Sequence, residues 1–226
     1  MRLGPSLLGI ALGVLAAMPA HADERAVQIP PPALDNPLAP GEPQTIVLAG
    51  GCYWGMQAVF EHIKGVQQVI AGFTGPRRGS QDDGVISRGH VAAESVQITF
   101  DPARISYGQI LQIYFSVAHD PTELNKQGPD DGPQYRSDIF YADDSQEKIA
   151  EAYIAQLGAA HVYNSEIVTS VDRLTDFHAV PDSQQDYVRK NPNLPYVAQI
   201  DMPKLAALKI VFPGLYLDPP LTVSDR

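Results

Sequence analysis

The feature that most constrains this chain is a glycine-rich turn at residues 50–55. Residues 45–49 before it form a β-branched, apolar run that predicts a buried strand. After the turn, apolar residues recur at the spacing of one helix face, at Met56, Val59, Phe60 and Ile63. The chain therefore passes from a strand into a helix through the turn, which holds its only cysteine, Cys52, and its only tryptophan, Trp54.

A cysteine in such a turn has two common roles. A free cysteine is most often a small buried apolar side chain. At the start of a helix, however, the unpaired N–H groups and the positive end of the dipole favour the thiolate and lower the thiol pKa. Glycines stand on both sides of Cys52, at Gly51 and Gly55. We therefore predict that Cys52 is a nucleophile with a lowered pKa.

The N-terminus has the pattern of a secretory signal peptide over residues 1–22. Arg2 supplies a positive charge, residues 7–17 are apolar, and Ala20-His21-Ala22 is a small-x-small cleavage site. The apolar run is too short to span a bilayer, so no stable membrane insertion is expected after cleavage. The predicted location is periplasmic or secreted.

The rest of the chain divides into three segments. Residues 23–44 are rich in proline and are typical of an extended arm. Residues 45–217 are long enough for a single domain with a sizeable core, and residues 218–226 form a tail.

The net charge limits the partners. The full chain carries a formal charge of −10, and removal of Arg2 with the signal peptide gives −11. An acidic chain without a basic patch argues against binding to nucleic acid. A single cysteine also rules out an internal disulfide.

Hydrophobic patterning predicts strands that alternate unevenly with helices. The predicted strands are 45–49, 67–73, 94–100, 138–142 and 166–171. The first predicted helix follows the Cys52 turn, and three more are predicted at 107–117, 145–157 and 183–190, before a proline-punctuated tail. Ser106 is the predicted N-cap of the second helix, and the third lies between an Asp144–Glu147 capping box and Gly158. This order favours an α+β fold, a two-layer ferredoxin-like sandwich with a mixed sheet and long loops around the active site.

Several side chains could assist the thiol. Glu94 stands at the entrance of a strand, and Asp130 lies shortly before Tyr135 in a long polar loop of a length that is usually functional. Tyr53 and Trp54 could form an apolar slot. The six histidines show no metal-ligand spacing, so neither metal nor cofactor is predicted. His119, followed by Asp120, leaves a Cys–His hydrolase open.

The segment Gly51-Cys52-Tyr53-Trp54-Gly55 resembles the signature of the A-type peptide-methionine sulfoxide reductases, which usually reads Gly-Cys-Phe-Trp-Gly. The resemblance extends from about residue 45 to 217 and includes further motifs in the family's order. They are Ala93-Glu94-Ser95-Val96, Phe100-Asp101-Pro102, His119-Asp120-Pro121-Thr122, Asn125, residues 127–137, Phe177, and Gln185-Asp186-Tyr187.

The resemblance implies an oxidoreductase that reduces methionine S-sulfoxide, free or in proteins, with a thiol as reductant. It implies that Cys52 is the nucleophile and is converted to a sulfenic acid. Glu94 would be the acid on the sulfoxide oxygen, and Asp130 and Tyr135 its polar supports. Tyr53 and Trp54 would form the walls around the substrate methyl group.

Three features depart from the family pattern. No recycling cysteine is present, so an external thiol, either a thioredoxin-like protein or a small thiol, must restore Cys52. The 81–92 loop has Asp82 where the family often has a tyrosine, and the 177–187 motif is altered around His178 and Gln184. Loss of one hydrogen-bond donor to the sulfoxide oxygen, here the tyrosine hydroxyl, would cost about 10²–10³ in rate.

Two alternative functions remain open. The chain could be a catalytically impaired relative that binds oxidised methionine or a partner protein, or it could be another cysteine enzyme, such as a thiol peroxidase or hydrolase.

Overall fold

The computed structural model describes residues 26–75 and 91–223. The predicted signal peptide, most of the 81–92 loop with Asp82, and the last three residues of the predicted tail lie outside the described residues.

The described chain folds as a mixed sheet with helices. Its strands are β1 (Gln44–Gly50), β2 (Val66–Thr74), β3 (Ala93–Phe100), β4 (Lys126–Gln127), β5 (Asp130–Asp131), β6 (Ser137–Tyr141), β7 (Ser170–Arg173) and β8 (His178–Ala179). Its α-helices are α1 (Tyr53–Glu61), α2 (Tyr107–Ile113), α3 (Asp144–Ala159), α4 (Tyr187–Lys190) and α5 (Met202–Val211). Within these ranges six strands form one sheet in the order β7-β6-β1-β3-β2-β8, and β4 and β5 form a small hairpin.

Strand β1 shows how the two faces of the sheet differ. Ile46 and Leu48 belong to the main core, together with apolar residues of α1, α2, α3 and α5. Val47 and Ala49 point the other way, into a small cluster with Ala93 and Phe140. Strands β6 and β7 pair in parallel, whereas the other pairs are antiparallel. The prediction of an α+β fold with a mixed sheet is confirmed.

Two helix predictions need correction. The helix predicted at 107–117 has the expected Ser106 capping box, but it is α-helical only to Ile113 and continues as a π-helix, Tyr114–Ala118. The N-cap of α3 is Asp143, whose carboxylate accepts the N–H groups of Ser145 and Gln146. Gly158 lies inside α3 and does not end it.

The C-terminal third differs most from the prediction. The strand predicted at 166–171 corresponds to β7, which begins only at Ser170 and is followed by the short β8. The helix predicted at 183–190 is a 3₁₀ turn, Asp182–Gln184, followed by the short α4. The proline-punctuated tail contains a π-helix, Val197–Asp201, and then α5. By sequence alone, Pro203 indicates a helix break, but it lies in the first turn of α5, where proline loses no hydrogen bond.

The proline-rich arm packs against the helices from residue 26 onwards. Ile29 is only 5% exposed and joins the main core. The backbone is held at several points, because Tyr153 donates its hydroxyl to the Pro30 carbonyl, and the Val27 N–H donates to Ser116. Asp35 accepts the N–H of Gly108 at the start of α2. Among the described helices, none is long and apolar enough to cross a membrane.

Candidate active site

The turn after β1 places Cys52 at the start of α1. Gly51 has φ +89°, and a Cβ atom there would lie 2.6 Å from Cγ of Gln127, so this position needs glycine. Cys52 is the N-cap residue of α1 and, taken as a whole residue, is half-buried. The strand-to-helix geometry expected from the sequence is therefore present.

Glu94 reaches the same site from the neighbouring strand β3. Its side chain shares a face with Val96, Ile98 and Phe100, which face the helices. Its carboxylate accepts the backbone N–H of Tyr53 at 3.1 Å. Burial raises the pKa of Glu94 to about 7, and the Tyr53 N–H only partly opposes this. The carboxyl group is therefore substantially protonated near neutral pH.

The pKa of Cys52 is raised, which contradicts the lowered value expected from its place at a helix start. Burial is the largest cause, and the negative charge of Glu94 adds to it. The backbone N–H of Trp54 acts in the expected direction, but it is outweighed. Asp201 and Asp130 raise the pKa further. At rest, Cys52 is therefore a thiol.

The β4–β5 hairpin and the turn after it bring Asp130 and Tyr135 to the site. Asp130 accepts a hydrogen bond from the hydroxyl of Tyr196. Burial raises the pKa of Tyr135, and the nearby charges of Glu94, Asp130 and Cys52 raise it further. These electrostatic contacts place the four predicted polar residues, Cys52, Glu94, Asp130 and Tyr135, around one site.

The aromatic residues beside Cys52 form a wall. Trp54 stacks on Tyr187, with the ring centroids 3.8 Å apart and the planes 7° from parallel. Tyr53 and Tyr196 meet Trp54 edge to face at 6.2 and 6.0 Å. The indole N–H of Trp54 donates to Oε1 of Gln184 at 3.2 Å. Both aromatic residues predicted as an apolar slot therefore belong to a fixed cluster.

Sequence reasoning missed Tyr196 and Asp201, which lie in the proline-punctuated segment after residue 190, where no helix was predicted. Tyr196 contacts both Asp130 and Trp54. Asp201 packs against Gly55, where a Cβ atom would overlap with Oδ1 of Asp201. A glycine inside the first turn of a helix can signal such a close approach, but it does not say which residue approaches.

His119 does not occupy the position of a catalytic base. Its ring is buried, and its Nδ1 lies 3.0 Å from the carbonyl oxygen of Tyr114. Burial lowers the pKa of His119 to about 3, so the ring is neutral. Within the described part of the chain its Nε2 contacts no hydrogen-bond partner, the Cys52 thiol included. Residues 26–75 and 91–223 contain no group of three or more His, Cys, Asp or Glu that could hold a metal ion.

The chain is similar to proteins of one family. Residues 44–211 match the family model described as peptide methionine sulfoxide reductase. The peptide methionine sulfoxide reductase MsrA 2 of Mesorhizobium japonicum is 47% identical over 196 residues, which cover 84% of this chain and 97% of the relative. Methionine sulfoxide reductase A of Corynebacterium diphtheriae is a structural neighbour with 27% identity and a TM-score of 0.54, covering 77% of this chain and 92% of that one. Mxr1 from Saccharomyces cerevisiae in reduced form has 25% identity and a TM-score of 0.57, covering 72% and 92%.

Proposed function

Because the chain belongs to the peptide methionine sulfoxide reductase family, we propose that it reduces methionine S-sulfoxide, free or in proteins, to methionine through a sulfenic acid on Cys52. The observation that carries this proposal is the pairing of Cys52 with Glu94. A thiol stands beside a partly buried carboxyl group whose pKa is about 7, so a nucleophile and an acid are available together.

The aromatic cluster suits the methyl and thioether part of the substrate. Tyr53 and Trp54 present apolar ring surface beside the thiol, and stacking on Tyr187 fixes the orientation of the indole. A methyl group held there would place the sulfoxide sulfur near Cys52 and its oxygen toward Glu94. Asp130 and Tyr135 support the polar end.

The reaction transfers one oxygen atom and two electrons. Glu94 donates its proton to the sulfoxide oxygen, which makes the sulfur electrophilic, and the proton of the Cys52 thiol replaces it on the carboxylate. The Cys52 sulfur attacks the substrate sulfur, and the hydroxyl passes to Cys52 as the S–O bond of the substrate breaks. Methionine leaves, and Cys52 remains as a sulfenic acid.

Recovery of Cys52 needs two equivalents of an external thiol. The chain has no second cysteine to attack the sulfenic acid. A first thiol forms a mixed disulfide with Cys52 and releases water, and a second thiol reduces that disulfide. We propose a thioredoxin-like protein or a small thiol as the reductant, and a periplasmic or secreted location based on the signal-peptide pattern of residues 1–22.

Single-turnover chemistry tests the proposal. The purified protein is mixed separately with S- and R-methionine sulfoxide in the absence of reductant, and methionine is measured per enzyme. We expect about one equivalent from the S epimer alone, together with a dimedone adduct on Cys52 seen by mass spectrometry.

The Cys52→Ser variant is the control and should form no methionine and no adduct. If the wild-type protein binds the S epimer but forms no methionine, the proposal fails. That outcome would support the rival function of a catalytically impaired relative that only binds oxidised methionine.

A further inference from the structure

The π-helix before α5 brings a buried carboxylate to the helix that begins at the nucleophile. Asp201 is only 1% exposed and is the last residue of the Val197–Asp201 segment. Its carboxylate packs against Gly55 so closely that a Cβ atom at Gly55 would overlap with it. Asp201 therefore lies against the first turn of α1.

In this position the Asp201 carboxylate competes with a Cys52 thiolate for the positive potential of the first turn of α1. Cys52 and Gly55 belong to the same turn, which the hydrogen bond from the Met56 N–H to the Cys52 carbonyl closes. The first turn of a helix has a positive potential that stabilises one nearby anion. A carboxylate already held there uses this potential, and it repels a second negative charge on the sulfur.

We propose that Asp201 is a positioning residue that keeps Cys52 protonated in the resting enzyme. This inference deepens the proposed function and rests on it. A thiol reacts with peroxide far more slowly than a thiolate. Asp201 therefore protects the only cysteine of the chain from oxidation that the reductase cycle does not use.

Other charged groups face Cys52 as well. Lys204 is buried on α5, and its Cδ would lie 3.7 Å from a Cβ atom at Gly55, so its side chain approaches the same turn of α1 as Asp201. The pKa of the Cys52 thiol is raised by the carboxylates, Asp201 among them. The titratable groups that act on Cys52 or are acted on by it are Glu94 on β3, Asp130 on β5, Asp201 on the π-helix, and the hydroxyls of Tyr53, Tyr135 and Tyr196; Lys204 on α5 packs against Gly55 in the same helical turn.

The pH dependence of Cys52 alkylation tests the inference. The Asp201→Asn variant of the full chain retains the shape of the side chain and loses its charge. We expect the midpoint of iodoacetamide alkylation, followed by mass spectrometry, to fall by about one pH unit. The first oxidation of the reduced Cys52 thiol by hydrogen peroxide at pH 7 should be several-fold faster in the variant.

The matched control is Glu151→Gln, which removes one carboxylate from an exposed position of α3 and should leave both readouts unchanged. An unchanged alkylation midpoint in a folded Asp201→Asn protein would overturn the inference. If that variant does not fold, Asp201→Ser provides a second test, because it removes the same charge with a smaller side chain. We again expect a lower midpoint, and an unchanged midpoint in folded Asp201→Ser protein would overturn the inference.

The result is independent of turnover. Alkylation needs only the thiol, so an unshifted midpoint in an active reductase would refute the role of Asp201 alone. A shifted midpoint in a protein that forms no methionine would refute the proposed function alone.

Discussion

At the scale of single residues, the protonation states of Cys52 and Glu94 decide the chemistry. Burial raises both pKa values, so near neutral pH the site holds a thiol and a partly protonated carboxyl group. The folded pKa of Glu94 is about 7, against an ordinary value of 4.5. Glu94 is therefore available as an acid below pH 7 and loses this capacity as the pH rises through 7.

The pH profile of the first turnover should show this loss. In the wild-type protein, the contribution of Glu94 to single-turnover methionine formation should decline above about pH 7. Glu94→Gln should remove that decline, because an amide does not titrate. Glu94→Ala should reduce the rate by about 10²–10⁴. A wild-type rate in Glu94→Ala, measured by rapid quench, would refute the acid role.

The stacking of Trp54 on Tyr187 should affect substrate binding more than chemistry. Such aromatic pairs contribute about 0.5–1.5 kcal/mol beyond the area they bury. Tyr187→Ala removes the ring that orients the indole, so we expect KM for methionine sulfoxide to rise about 2- to 10-fold with a smaller change in kcat. Tyr187→Phe retains the ring and is the control. Steady-state kinetics that show equal KM values for the two variants would contradict the prediction.

At the scale of elements, the end of α1 is joined to the C-terminal segments by an acid pair. Glu61 is buried, and its pKa is raised to about 10, first by burial and then by a hydrogen bond to Asp186. The C-terminal residues pass beside this acid pair, because the Leu221 N–H donates to the Glu61 carbonyl and the Val223 N–H donates to the Asp186 carboxylate. A proton on Glu61 therefore belongs to the folded state.

This pair makes stability depend on pH. Glu61 is ionised in the unfolded chain above about pH 4.5 and protonated in the folded one up to about pH 10. The contribution of protonated Glu61 to the free energy of unfolding is therefore fully present below pH 4.5 and is lost as the pH rises toward 10. Glu61→Gln supplies a permanent donor to Asp186, so we expect it to be more stable than wild type by about 1–3 kcal/mol at pH 8.

Urea unfolding at pH 5 and pH 8 checks this prediction, with Glu151→Gln as the exposed control. The advantage of Glu61→Gln over wild type should grow with pH, whereas Glu151→Gln should follow wild type at both values. An advantage that shrinks between pH 5 and pH 8 would show that the assumed proton is absent.

At the scale of the whole molecule, the proline-rich arm is part of the folded domain. Residue Ile29 fills a place in the main core, and the carbonyl groups of the arm accept hydrogen bonds from helices distant in sequence. Composition alone indicates an extended segment. It does not indicate that one apolar residue anchors the segment.

Ile29→Ala should measure this anchoring. Loss of a buried aliphatic side chain typically costs a few kcal/mol in a rigid core, and an arm can relax, so we expect about 1–3 kcal/mol of lost unfolding free energy. Leu38→Ala changes an arm residue that is 53% exposed and should have little effect. Equal denaturation midpoints for the two variants would show that the arm does not contribute to stability.

Local patterns were enough for much of the architecture. The apolar run of β1, the alternation in β3, the Ser106 capping box and the glycines around Cys52 depend on residues a few positions apart, so the sequence predicts them directly. The motifs around Cys52 and Asp130 indicated the family for the same reason. The C-terminal elements were predicted poorly because prolines and weak periodicity hid α5, which packing stabilises.

The sequence by itself indicated Cys52 as the candidate nucleophile, because Cys52 is the only cysteine of the chain and stands in the motif that resembles the family signature. Only the tertiary structure decided that Cys52 rests as a thiol, because its pKa depends on burial and on carboxylates up to 149 positions away in the chain, the farthest being Asp201. Electrostatic effects depend on distance in space, and the fold alone brings Asp201 beside the first turn of α1.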